Sequence, residues 1–196
     1  MMTGSWRQNG KKSNDSRDIE TGELKIFFRR RYPKHPGGFL LDGGIHFVAG
    51  LRALLAGASE RIQNVAAFTS QLDPRTPPCD TVHAVFQTDK GAAGTFSMSF
   101  MTEFKGGFEF EIITENGSVI FTPLGVEVTT KDENGEKKTE RTDYTFSYGI
   151  DIVVALFAKG VSEGKLAEAF SLDEAMADLE VVEALLKSEG QLRSFS

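Results

Sequence analysis

The sequence predicts an α+β fold: a large, mostly antiparallel β-sheet with helices packed on one face. Three observations carry this. A run of β-branched and aromatic segments fills residues 62–146, and the turn signals Asn116-Gly117 and Asn134-Gly135 break it into hairpins. Helical periods flank that run, at residues 39–56 before it and at 149–161 and 172–189 after it. Inside the strands one side is apolar and the other polar, as in a sheet with one covered face.

The chain has 196 residues, enough for one ordinary domain with a real core. A hydrophobic fraction of 40% and sixteen Phe fit a packed protein that folds. Net charge is −6, which argues against nucleic acid as a partner, because phosphate binding needs a clustered basic surface. The single cysteine, Cys79, excludes an internal disulfide and a thiolate zinc site, and suits a reducing compartment. No apolar run approaches the length of a membrane span, and "MMTGSWRQNG" has no signal-like core. The expectation is a cytoplasmic protein without membrane or nucleic-acid partners; the sequons at Asn14 and Asn116 are then chance matches.

Residues 1–36 are polar, charge-mixed and without sustained period, and read as an irregular N-terminal extension. Its Arg29, Arg30, Arg31 and Lys34 form a basic cluster of the kind that is usually solvated charge. From Phe39 to Ala56 the spacing of Leu41, Ile45, Val48 and Leu55 predicts one helix, loosened in its first turn by Gly43 and Gly44 and capped by Gly57. The strand segments follow, starting at Ile62, Thr81, Ala92, Gly107, Ser118, Gly125 and Lys137. Phe96, Met98 and Phe100 point one way and Thr95, Ser97 and Ser99 the other; Phe108, Phe110 and Ile112 likewise oppose Glu109, Glu111 and Ile113. Of the two C-terminal helices the last is the better marked. Ser171 and Glu174 form a capping box, followed by a stripe of Leu172, Met176, Leu179, Val182 and Leu186.

The stretch "GGFLLDGGIHFVAG" places Asp42 and His46 four positions apart, on one helix face among small side chains, Ala49 and Ala53. On a functional reading the carboxylate orients the imidazole while His46 exchanges a proton with a substrate hydroxyl or carbonyl. On a structural reading Asp42 is a helix-start carboxylate and His46 is satisfied by a backbone group. Spacing alone leaves both open and favours the second.

The whole of "GGFLLDGGIHFVAGLRALLAG" resembles the start of the C-terminal domain of the Gfo/Idh/MocA oxidoreductases, the glucose-fructose oxidoreductase and inositol dehydrogenase family, with wording closest to fungal members. The resemblance runs to "SLDEAMADLEVVEALLKS" and so covers residues 37–196. It implies that Asp42 is the substrate-orienting acid and His46 the general acid or base, both substrate-binding, with Gly37 and Gly38 as the paired glycines upstream. It also implies a small-molecule substrate, an open sheet with helices on one face, and homo-oligomerisation through the other face.

Such relatives carry a dinucleotide-binding Rossmann domain before this one, with a glycine-rich turn and a Glu-Lys-Pro element. Neither pattern stands in this sequence. Gly43-Gly44, Gly91 to Gly94 and Gly106-Gly107 lack the spacing and the β-α-β context, and Lys34-His35-Pro36 and Glu136-Lys137 are superficial echoes of the lysine element. The expectation is that the chain holds no cofactor, that a full-length relative uses NAD or NADP, and that this half is inactive alone. Trp6-Arg7 resembles a pair that fungal relatives place just before the paired glycines, so the segment from about Asn9 to Pro36 reads as foreign to the domain, as a retained intron would be. No metal is expected, because His35, His46 and His83 are spread over tail, helix and strand. His83 reads as a strand-face histidine, and Cys79, in "DPRTPPCDT", as an inert thiol. Two rival readings are a non-catalytic module that pairs through the open sheet face, and a truncated gene product.

Overall fold

The computed structural model describes residues 3–4 and 36–195. Residues 5–35 lie outside the described residues, and with them the Trp6-Arg7 pair, the Arg29 to Arg31 cluster, Lys34 and His35. In chain order the elements are β1 (Thr3–Gly4), α1 (Gly38–Asp42), α2 (Gly44–Gly57), β2 (Ile62–Ser70), β3 (Thr81–Thr88), β4 (Ala93–Ser99), β5 (Phe110–Thr114), β6 (Gly117–Thr122), β7 (Gly125–Lys131), β8 (Lys137–Asp143), α3 (Ile150–Ser162), a 3-10 turn (Glu168–Phe170), α4 (Leu172–Lys187) and β9 (Arg193–Ser194). The class is α+β with antiparallel pairing throughout, apart from the short parallel match of β1 on β4. The strands divide between two ladders, in the orders β1-β4-β3-β2-β9 and β5-β6-β7-β8. Residues 100–109, which include Gly106 and Gly107, separate them in sequence. The chain forms two compact units, one from the residues up to Gly107 together with those from Val181 onward, the other Phe108–Glu180.

In the first unit helices cover one sheet face. Val65, Ala67, Val82, Ala84, Phe96 and Met98 are buried on it, against Leu40, Val48, Leu51 and Leu55 from α1 and α2 and Val181, Val182 and Leu185 from α4. The alternation read for β4 holds: Phe96 and Met98 are each 3% exposed, while Thr95 on the other side is open. The last turns of α4 are tied to β2 by Ser188, which is fully buried. Its Oγ accepts the Ala67 N–H at 2.8 Å and donates to the Gln191 carbonyl at 2.6 Å.

The helix expected over 39–56 is two. The break falls at Gly43, and the buried stripe is Leu40, Gly44, Val48, Leu51 and Leu55, with Leu41 and Ile45 only half-buried. A hydropathy period passes over Gly44 because glycine has no side chain; here Met98 fills its place, lying where a β-carbon of Gly44 would come within 2.5 Å. Gly57 does not cap α2. It is the last helical residue, and Ser59 takes the left-handed turn at φ 58°.

In the second unit Phe108, Phe110 and Phe121 form a ring cluster with centroids 5.7 to 6.2 Å apart. The turn expected at Asn116-Gly117 is centred one residue earlier: Thr114 pairs Gly117, so Glu115 and Asn116 are the loop. The next hairpin, Thr122 to Gly125 around Pro123 and Leu124, repeats this T-x-x-G form. In both, the threonine hydroxyl accepts an N–H two residues on, at 3.3 Å, and donates to the glycine carbonyl at 3.2 Å. The glycines are needed for close approach, since β-carbons there would come within 2.1 Å of Thr129 O and 2.5 Å of Thr142 O. The Asn134-Gly135 turn stands as expected, with Gly135 at φ 83°.

Ser171 caps α4, its Oγ accepting the Glu174 N–H at 3.1 Å. The stripe predicted along α4 is buried only in its second half: Val182 is 3% exposed, whereas Leu172 and Met176 are 76% and 57% exposed. The residues of α3 are open almost throughout, Ile150, Val154 and Phe157 among them.

Candidate functional site

Asp42 is the last residue of α1 and His46 the third of α2. The break between them is shallow. Gly43 keeps right-handed helical dihedrals (φ −99°, ψ −31°) and its N–H donates to the Phe39 carbonyl at 2.9 Å. The two residues therefore stay about one helical turn apart, as the four-residue spacing predicts. Both side chains are exposed, and Ala49 and Ala53 follow them along α2.

What lies beneath the break explains the glycine there. A β-carbon on Gly43 would come within 2.8 Å of the Phe100 ring, whose centroid is 5.9 Å from that of Phe39 and 6.3 Å from that of Phe47. Only glycine lets the helix come down onto this aromatic floor. Upstream, Gly38 starts α1 with φ +52°, and a β-carbon there would meet Pro78 Cδ at 2.8 Å. Of the paired glycines singled out in the sequence, Gly38 thus seats the start of α1 on the loop 71–79, while Gly37 lies against Leu41 and Leu186.

That loop is organised by Asp80, a residue the sequence reading passed over. Asp80 is fully buried. Its carboxylate accepts the N–H groups of Leu72 at 3.0 Å and Asp73 at 2.9 Å, and the hydroxyls of Thr76 at 2.7 Å and Thr81 at 2.9 Å. The readable signal was an aspartate flanked by threonines at the close of a proline-rich loop, just before an apolar strand. Asp73, Arg75 and Thr76 form the turn itself, with the Arg75 N–H donating to Asp73 Oδ1 at 2.8 Å.

His83 lies on the open sheet face as read, with Nδ1 3.1 Å from Ser97 Oγ. Cys79 is buried, and burial beside Asp80 pushes its thiol above the ordinary range, away from the nucleophilic thiolate. Among the described residues no group of three or more His, Cys, Asp or Glu is placed to hold a metal, and no helix is long and apolar enough to cross a membrane.

A family model described as the GFO/IDH/MocA C-terminal domain matches residues 17–120, more than half of the chain. The chain belongs to the Gfo/Idh/MocA family. A curated relative, the dehydrogenase FPY6 of Fusarium mangiferae, is 35% identical over 159 residues, covering 81% of this chain and 46% of that protein. An uncharacterised protein of Saccharomyces cerevisiae is 28% identical over 83% of this chain and 48% of its own. The Gfo/Idh/MocA chain thus spans about half the length of the curated relatives it matches. Among solved structures, an oxidoreductase of Thermotoga maritima superposes with a TM-score of 0.71 at 25% identity, over 98% of this chain and 52% of that one. A levoglucosan dehydrogenase solved with NADH and levoglucosan superposes with a TM-score of 0.66 at 17% identity, over 81% of this chain and 50% of its own.

Among the described residues of this Gfo/Idh/MocA chain, none forms the glycine turn that holds a dinucleotide's pyrophosphate. Pyrophosphate binding uses a glycine turn between a strand and a helix that returns to a parallel strand. Here the described ladders are antiparallel except for the two residues of β1, and the glycines at the two ends of α1, Gly38 and Gly43, approach Pro78 and Phe100. An exposed carboxylate and an exposed imidazole one helical turn apart have the chemistry to orient a polar ligand and to exchange a proton.

Proposed function

We propose that this chain is the substrate-binding and oligomerisation half of an NAD(P)-dependent oxidoreductase acting on a sugar, a polyol or a related hydroxyl or carbonyl compound, and that it is inactive alone. The observation that carries the reading is the exposed pair Asp42 and His46, one turn apart at a glycine-broken helix junction inside the segment matched to the family. His46 takes the proton from a substrate hydroxyl, or returns it to a carbonyl oxygen, and Asp42 orients the substrate and the imidazole. The hydride acceptor belongs to a half that the described residues do not build. A cytoplasmic setting fits the single, buried Cys79.

One feature supports self-association. Across the open face of the first sheet run the rows Phe68, His83, Ser97 and Ala66, Val85, Thr95, and neither holds an Asp, Glu, Lys or Arg. In a chain that is 26% charged such a face suits burial against a second copy. The same rows favour the rival reading, a non-catalytic pairing module.

The test has two arms. Calorimetric titration of NAD(H) and NADP(H) into the chain should give no binding, and fusion to a related Rossmann half should yield turnover that His46→Ala lowers by about 10²–10⁴-fold. Cofactor-dependent oxidation by the chain alone, or full activity of the fused His46→Ala protein, would overturn the proposal.

A further inference from the structure

We infer that Asp80 is a positioning residue for the candidate site: by gathering the loop 71–79 around its carboxylate it fixes both ends of α1, and so the place of Asp42 relative to His46. This rests on the reading of those two as the reactive pair, but the observations that carry it lie elsewhere.

Asp80 is fully buried and its carboxylate is satisfied by neutral donors alone. A buried carboxylate is tolerable only while its hydrogen bonds are made, so the loop that supplies them cannot open without a heavy penalty. Leu72 and Asp73 supply them from the start of the loop and Thr76 from its middle. Its end is Pro77 and Pro78, whose fixed φ makes this segment stiff. Pro78 Cδ and the Pro77 carbonyl are the atoms that lie against Gly38, the first residue of α1.

The other end of α1 depends on the same residue. The Asp80 backbone carbonyl accepts the Phe100 N–H at 3.1 Å, and the Phe100 ring is the surface on which Gly43 rests. The hydroxyl of Thr81, which donates to Asp80, also meets Ser99 Oγ at 2.8 Å, tying the start of β3 to the end of β4 just before Phe100. Gly38 is held through Pro78 and Gly43 through Phe100, and the four residues between them include Asp42.

The experiment compares Asp80→Asn with Leu55→Ala, a core change at the far end of α2, by NMR of the 196-residue chain at fixed pH. Asparagine keeps the shape but turns two N–H groups toward donors. Asp80→Asn should move the amide resonances of Gly38, Asp42 and Gly43 and the ring-proton resonances of His46, and leave Gly117 and Gly125 in place. Leu55→Ala should lower the melting temperature without moving the Gly38 to His46 set. Unmoved resonances in Asp80→Asn, or equal movement in both variants, would overturn the inference. If Asp80→Asn does not fold, Thr76→Val removes a single donor and should move the same resonances in the same direction by less; no movement there has the same overturning force. Turnover is not read, so a failure here is separate from a failure of the reactive-pair reading, which the fused His46→Ala protein reports.

Discussion

Gly38 lies so close to Pro78 that a β-carbon on Gly38 would come within 2.8 Å of Pro78 Cδ and 3.0 Å of Pro77 O, in a backbone held at φ +52°. Two penalties therefore meet in Gly38→Ala, a left-handed conformation for a residue with a side chain and a clash with a rigid ring. The variant should be destabilised by about 1–3 kcal/mol. Gly57→Ala is the contrast, because nothing lies within 4 Å of its β-carbon position and its φ is ordinary. That change should be neutral or stabilising by up to about 1 kcal/mol. Urea melts of the two variants check both signs.

The acid side of the stability curve should carry the mark of Asp89. The Arg61 N–H donates to Asp89 Oδ1 at 3.0 Å and the guanidinium Nε to Oδ2 at 2.9 Å. These bonds, the backbone one foremost, hold the carboxyl below its ordinary range. A carboxylate with a lower pKa folded than unfolded stabilises the fold above its unfolded value, about pH 4, and loses that contribution as pH falls through the folded value. Asp89→Asn should therefore be less stable than the parent at neutral pH, and the gap should close on acidification below about pH 4. Added salt should narrow it at neutral pH, because Arg61 is largely exposed. Denaturant midpoints across the pH series measure this; a gap that widens on acidification would contradict it.

The proposed pairing through the open sheet face predicts a dimer in sedimentation at micromolar concentration. Val85 is 57% exposed in the middle of the uncharged rows. Val85→Glu should shift the chain to monomer without loss of folding, since the new carboxylates would face each other without water or countercharge. A monomer at every concentration in the parent would end the proposal.

Much of this protein was legible in its residues. Strand positions followed from β-branched and aromatic runs, and the buried face of β4 from strict alternation at Phe96 and Met98, because side chains on a strand have only two directions. Asp42 and His46 stood out as an acid and a base at helical spacing, and their one-turn separation is a local property that survives the break at Gly43.

The rest depended on contacts between residues distant in sequence. No period along residues 39–56 can say that position 43 must lack a side chain, because the reason is the ring of Phe100, fifty-seven residues beyond Gly43. Asp80 was silent in the sequence for the same reason: an aspartate in a polar loop looks solvated until the loop folds back and the donors of Leu72, Asp73 and Thr76 converge on it. The sequence alone determined which residues form strands and helices and that Asp42 and His46 stand one helical turn apart, since propensity and spacing act within a few residues. Only the tertiary structure decided what the two ends of α1 rest on and why glycine stands at each, since the contacts of Gly38 with Pro78 and of Gly43 with Phe100 join residues far apart in the chain.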